Sequence, residues 1–270
     1  MVQASAPPPV SESPPAAAVV RYSLAEFSDA WLIPKEPVPE SAWHDRCLEL
    51  FKAVLDEWVA STRRDAAVFR DIAIRANRSK PAVGWNPDIC LVEPAPAGAA
   101  ELESMRLWEH SSPRLAFEAV SPNHPYKDYV VIPDKCAAGV EELCVFDPLL
   151  AGSPIHGGPC LLQLWRRANN GDFERTHAGD GPAHSAVLGA WLIPDRTSQT
   201  LRVAEQPNGT HPWPTATERA ELGHRAALAR EAEARQGEAE ARQREAEARQ
   251  GEAEALRRVS ELEQELRRRG

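Results

Sequence analysis

Residues 114–135, RLAFEAVSPNHPYKDYVVIPDK, decide how this chain is read, together with GWNPDICLV at 84–92. Arg114–Val120 is an apolar run with one carboxylate, Glu118, near its end, and Ser121-Pro122 breaks it. Ile89–Val92 is a second apolar run, reached through Pro87-Asp88, and Leu143–Phe146 is a third. Runs that are apolar at every residue mark strands covered on both faces. Tyr129–Ala138 carries a short helix, which Pro133 admits only from its first turn onward. Strand, helix, strand is a crossover unit and predicts an α/β sheet. A buried carboxylate is costly without a partner. Two of them at strand ends therefore point to a hard cation such as Mg²⁺, which binds through one or two carboxylates and keeps water for a substrate phosphate. The same residues also suit a turn-capping aspartate and a glutamate that faces solvent or an arginine.

NPDICLV, AFEAVSP, a polar loop with Asp128 and then AAGVEELCVFDP follow one another in this order. Over roughly residues 41–205 the chain resembles the Uma-two restriction-endonuclease family, a bacterial group within the PD-(D/E)XK nuclease superfamily. The resemblance implies a restriction-endonuclease-like mixed sheet flanked by helices, and hydrolysis of phosphodiester bonds in DNA with Mg²⁺ or Mn²⁺. It also implies that Asp88 and Glu118, 30 residues apart, are the metal-binding carboxylates, with the Ala119 carbonyl a third oxygen. The superfamily's Glu-x-Lys would put lysine at position 120, which is Val120, and the family's helix position falls on Val131 and Ile132. The chain has only five lysines, so Lys127 and Lys135 are the nearby substitutes. Lys127 lies nine residues after Glu118, past Pro122 and Pro125, and has the shorter path back to the strand end. It is the expected catalytic lysine, and Lys135→Ala is expected to do little. Asp128 would accept from that lysine or fix the loop. His44 matches a histidine near this helix in the family; by position alone it is a surface or capping residue.

Composition narrows the partners. The formal charge is −9, and from His224 onward eleven Arg balance eleven Glu, so the rest of the chain carries all of it. Phosphate neutralisation by Lys and Arg supplies most non-specific DNA affinity, so DNA must meet a local patch. Arg63, Arg64, Arg70, Arg75 and Arg78 are its candidates, or else a solvated strand and loop. Five cysteines without C-x-x-C or metal spacing indicate a reducing compartment. With no signal peptide and no apolar stretch of membrane length, the expected location is the cytoplasm.

Residues 1–20, rich in Pro, Ala and Ser, are expected to be disordered, and 21–212 to form the catalytic-type domain. Tyr22–Ile33 reads as a short helical or extended lead-in closed by prolines 34, 37 and 39. Ser41–Ala60 is an amphipathic helix with Trp43, Cys47, Leu50, Phe51, Val54, Leu55 and Trp58 on one face, and Ser41 as N-cap. Ala67–Ala76 reads as a strand and Leu102–Trp108 as a helical turn or two. Leu161–Arg166, Phe173–His177, Val187–Ile193 and Leu201–Ala204 are short strands extending the sheet as an antiparallel wing, with a hairpin at Asn169–Asp172. Trp165 and Trp191 are expected in the core, and His156, His177 and His184 share no zinc spacing.

Residues 213–270 form a long helix that opens on a capping-box pattern, Thr215 to Glu218. Its unit AEARQ(G/R)E repeats every seven residues, and Ala255, Val259, Leu262 and Leu266 continue as a short coiled-coil stripe. Weak self-association follows, or else a solvated helix held by Glu–Arg pairs. A second function class therefore stands beside the nuclease. In it a degenerate nuclease fold, lacking lysine at 120, acts as an assembly or regulatory module through this tail.

Overall fold

The computed structural model describes residues 21–22 and 41–269. The expectations for 1–20 and for the Tyr22–Ile33 lead-in with its prolines lie outside these residues, apart from the two-residue strand β1, Arg21–Tyr22. The chain divides into two units, Met1–Thr215 and Ala216–Gly270.

Within the first unit the fold is mixed α/β. Helix α1 (Ala42–Thr62) is followed by β2 (Ala67–Arg70), β3 (Ala73–Arg75), β4 (Gly84–Trp85), β5 (Ile89–Val92), β6 (Ser104–Arg106) and β7 (Leu115–Ala119). Next come a π-helical turn, Lys127–Val131, that runs directly into α2 (Ile132–Cys136), and then β8 (Glu142–Phe146), β9 (Leu162–Arg167) and β10 (Phe173–Gly179). Strands β11 (Ala183–Ser185), β12 (Ala190–Asp195) and β13 (Thr200–Ala204) complete the unit. The main sheet has the order β1-β10-β9-β8-β7-β5-β2. Its one parallel pair among the described residues is β7 with β8, the two strands joined through α2. The crossover expected from the 114–146 sequence is therefore present.

Both faces of that sheet are covered, which explains why β5, β7 and β8 are buried at every residue. On one face Leu48, Phe51 and Leu55 of α1 pack with Ile89, Phe117, Phe146 and Leu164, and β12 and β13 close the same core. On the other, Tyr129, Ile132 and Cys136 pack with Cys90, Ala116, Val120 and Val145. The small sheet β4-β3-β6 joins this second core through Ile74, Trp85 and Met105.

Three local expectations are corrected. Ala67–Ala76 is two strands, because Asp71 adopts φ 53° and sends β3 out of the main sheet. Leu102–Trp108 is not helical: β6 pairs in parallel with β3 and buries Met105. A helix that short does not recover its nucleation cost. The antiparallel wing is split, with β9 and β10 extending the main sheet and β11–β13 forming a sheet of their own. Trp165 is core at 1% exposure, whereas Trp191 is only partly buried and meets the edge of His184. The hairpin at 169–172 is present, with Gly171 at φ 90°. Cys90 and Cys144 are fully enclosed, and all five cysteines are free thiols.

In the second unit, α3 (Ala216–Arg269) is a single 54-residue helix, about 80 Å long at 1.5 Å per residue. None of its described residues is buried, and Glu–Arg pairs at four-residue steps run along it, such as Glu231–Arg235 and Glu245–Arg249. Leu256, Val259, Leu262 and Leu266 are exposed as well. Among the described residues no helix is long and apolar enough to cross a membrane. Because the apolar cores are assembled entirely from residues before Thr215, deletion of 216–270 should leave a cooperative thermal transition in the remaining chain. A truncated protein that melts without one would show that the helix belongs to the core.

Candidate active site

The register of two strands creates the site. β5 runs antiparallel to β7 with Ile89 opposite Phe117, so the next pair outward is Asp88 opposite Glu118. Alternation along each strand gives Asp88 the phase of Cys90 and Glu118 that of Ala116 and Val120, both on the α2 face. The Asp88 carboxylate accepts the N–H of Ala119 at 2.8 Å through Oδ2, which ties the two strand ends together. Glu118 is fully buried, with Oε2 3.4 Å from the Lys127 ammonium. Its other oxygen, Oε1, has no hydrogen-bond partner among the described residues. Burial raises the Glu118 carboxyl well above the ordinary range; Asp88 pushes the same way and Lys127 opposes.

The loop after β7 brings the lysine back. Ser121, Pro122 and Pro125 reverse the chain, and Asp128 Oδ2 accepts the Ser121 N–H at 3.0 Å, closing the loop on itself. That closure sets Lys127 at the start of the π turn with its Nζ 3.5 Å from Asp128 Oδ1, between the two acids. Burial pushes Asp128 up to about 7, against the pull of Lys127. Lys127 is held firmly in its charged form, chiefly by Glu118. Lys135 occupies a different place. It is 8% exposed and donates to the Gly84 carbonyl at 3.3 Å, and burial lowers its pKa. Val120 is enclosed in the core beneath α2, so no charge stands at that position.

His44 joins the site from α1, a role that position alone did not reveal. It is 7% exposed, with Nε2 3.1 Å from the Ala119 carbonyl and 3.3 Å from Asp88 Oδ2. A signal for it was present in the helical phase, since 44 shares a stripe with the buried Leu48, Phe51, Leu55 and Trp58. With its proton on Nε2 the imidazole donates to the Ala119 carbonyl; with the proton on Nδ1 it offers a lone pair at the same point.

These groups lie at or beside a cleft of about 510 Å³. His44, Asp88, Ala119 and Lys127 line it, with Trp43 and the 121–127 loop as walls. Asp88, Glu118 and the Ala119 carbonyl are hard oxygen donors, and the partnerless Glu118 oxygen is what a cation would satisfy. Among the described residues no three His, Cys, Asp or Glu side chains are gathered closely enough to hold an ion unaided. Mg²⁺ does not require three, since it binds through one or two carboxylates and retains water. The arginine patch is partly spent on ion pairs: Arg64 pairs with Glu93 at 3.0 Å, and Arg70 pairs with Asp45 and Asp71.

No family model matches the chain, and a search of curated proteins returned no match. Among solved structures, similarity was found to a "putative nuclease belonging to DUF820" from Anabaena variabilis ATCC 29413. It covers 56% of this chain and 76% of that one, at 14% identity and a TM-score of 0.39. A likeness of that size assigns no activity to this chain.

Proposed function

We propose that this chain hydrolyses phosphodiester bonds in DNA with Mg²⁺ or Mn²⁺ held by Asp88, Glu118 and the Ala119 carbonyl. The observation that carries the reading is the Glu118 carboxylate, wholly buried, with one oxygen facing Lys127 and the other without a hydrogen-bond partner among the described residues. A bound cation would supply charge stabilisation and an acidified water. The protein's own groups do the rest. Asp88, braced by the Ala119 N–H, fixes the separation of the two strand ends. Lys127, charged and anchored by Glu118 and Asp128, presents an ammonium to the attacking water and the phosphate oxygens. His44 meets the Ala119 carbonyl from α1 at 3.1 Å and helps to hold it in place.

The test is incubation of the purified protein with DNA and Mg²⁺ or Mn²⁺, with EDTA as control. Cation binding has its own readout: at 100 times Kd, Mn²⁺ should add about 2.7 kcal/mol of stability, a rise in Tm of roughly 5–10 °C. No shift at any Mn²⁺ concentration would remove the cation from the site and the hydrolysis with it.

A second reading, a non-cleaving assembly module, is favoured by Val120 at the superfamily's lysine position and by the exposed leucines near the end of α3. It predicts, in contrast, a Tm that Mn²⁺ does not move, no cleavage, and concentration-dependent self-association that is lost when 216–270 are removed.

A further inference from the structure

The cleft's walls are aromatic where a duplex-binding groove would be basic. Tyr126, at the tip of the loop after β7, is 54% exposed although its ring makes no part of either core. The His156 ring backs it edge-on at 5.1 Å, which limits its rotamers while leaving its surface free. Trp43 lines the same cleft from α1, part-buried and edge-on to His44 at 5.6 Å. His124 is exposed on the loop beside Tyr126. Among the described residues lining the cleft, Lys127 is the sole lysine or arginine, and Glu118 and Asp128 already engage it.

We infer that the cleft takes single-stranded DNA, held by stacking of its bases on Tyr126 and Trp43 in preference to neutralisation of its phosphates. This rests on the hydrolase reading of Asp88 and Glu118. Charge argues first. Duplex DNA carries one negative charge per about 1.7 Å, and its binders gain affinity by releasing counterions from many phosphates. One committed lysine in a chain of net charge −9 does not do that. Depth argues second. Asp88, the acid that lines the cleft, has a side chain only 8% exposed, and Glu118 is buried beside it, so a scissile phosphate must descend between the walls to come near them. A duplex keeps its bases stacked inside and offers the aromatic walls nothing to stack on. A single strand has free base faces, and stacking on an aromatic side chain tolerates any sequence.

The experiment is fluorescence anisotropy with labelled oligothymidine, alone and annealed to oligoadenine, in Ca²⁺ to hold the carboxylates without turnover, followed by cleavage assays in Mn²⁺. The single strand should bind at least about tenfold tighter than the duplex. Tyr126→Ala should weaken single-strand binding by about tenfold, the scale of one lost stacking contact, and Tyr126→Phe should keep it, because the ring and not the hydroxyl does the binding. Tyr126 is a solvent-facing residue, so an unchanged Tm should confirm that the alanine variant is folded. Equal or tighter binding of the duplex, or single-strand affinity untouched by Tyr126→Ala, overturns the inference and leaves hydrolysis standing. Single-strand preference without any cleavage supports the inference and overturns the hydrolase reading. Failure to bind the single strand at all overturns the inference directly.

Discussion

Replacing Glu118 with glutamine is expected to abolish cleavage, by about 10³-fold or more, while leaving the cation-free protein as stable as before or more so. Both halves follow from one fact. Glu118 is fully buried, and burial with the Asp88 charge close by raises its carboxyl well above the ordinary range. A carboxyl raised in the folded state stabilises the fold only while protonated, and that contribution is lost as pH climbs above the ordinary carboxylate range. In its ionised form the group is therefore a cost, offset in part by Lys127, and an uncharged amide of the same shape removes it. The amide is also a far poorer ligand for a hard cation, and transition-state charge stabilisation of the kind lost is worth 10²–10³ for even a single preorganised contact. Three measurements check this: the rate, the Tm without metal, and the Tm increment on adding Mn²⁺. A variant that keeps its Mn²⁺ increment, or one that melts far below the wild type, would show that Glu118 is a structural residue instead.

Lys127→Ala is expected to lower the rate by about 10² or more, the scale of one lost charge contact to the transition state. Its Nζ lies 3.4 Å from Glu118 Oε2 and 3.5 Å from Asp128 Oδ1. Removing it strips two buried acids of their counter-charge, so some stability should go as well. Lys135→Ala separates the two effects. That ammonium is buried against the Gly84 carbonyl, so its removal should reduce Tm through a lost buried hydrogen bond while the rate stays within a few-fold. For turnover the expectation stays that Lys135→Ala does little; for stability the buried contact with the Gly84 carbonyl adds an expected loss. Equal rate losses in the two variants would show that Lys127 has no special part in the chemistry.

Much of this was legible in the chain. Ile89–Val92, Leu115–Ala119 and Glu142–Phe146 are apolar throughout because both faces of the sheet are covered, and such runs declare themselves without any partner in view. Asp88 and Glu118 stood out for the same reason, as carboxylates attached to segments that burial demands. Repeats of Glu and Arg at four-residue steps likewise wrote α3 directly, since each pair is local to the helix.

The rest depended on contacts between residues far apart in sequence. Which strand pairs with which, and in what register, set Asp88 opposite Glu118, and only the β5–β7 ladder decides that. His44 is 75 residues from the carbonyl it meets; position alone read it as a surface or capping residue, and although its helical phase matches the buried stripe, nothing local says against what it packs. Ser104–Arg106 became a strand because β3 offered it an edge, a fact absent from its own composition. Lys127 could be nominated by its distance along the chain. Its ammonium reaches Glu118 because the Asp128 carboxylate closes the 121–128 loop on the Ser121 N–H, and that closure exists only in the folded chain.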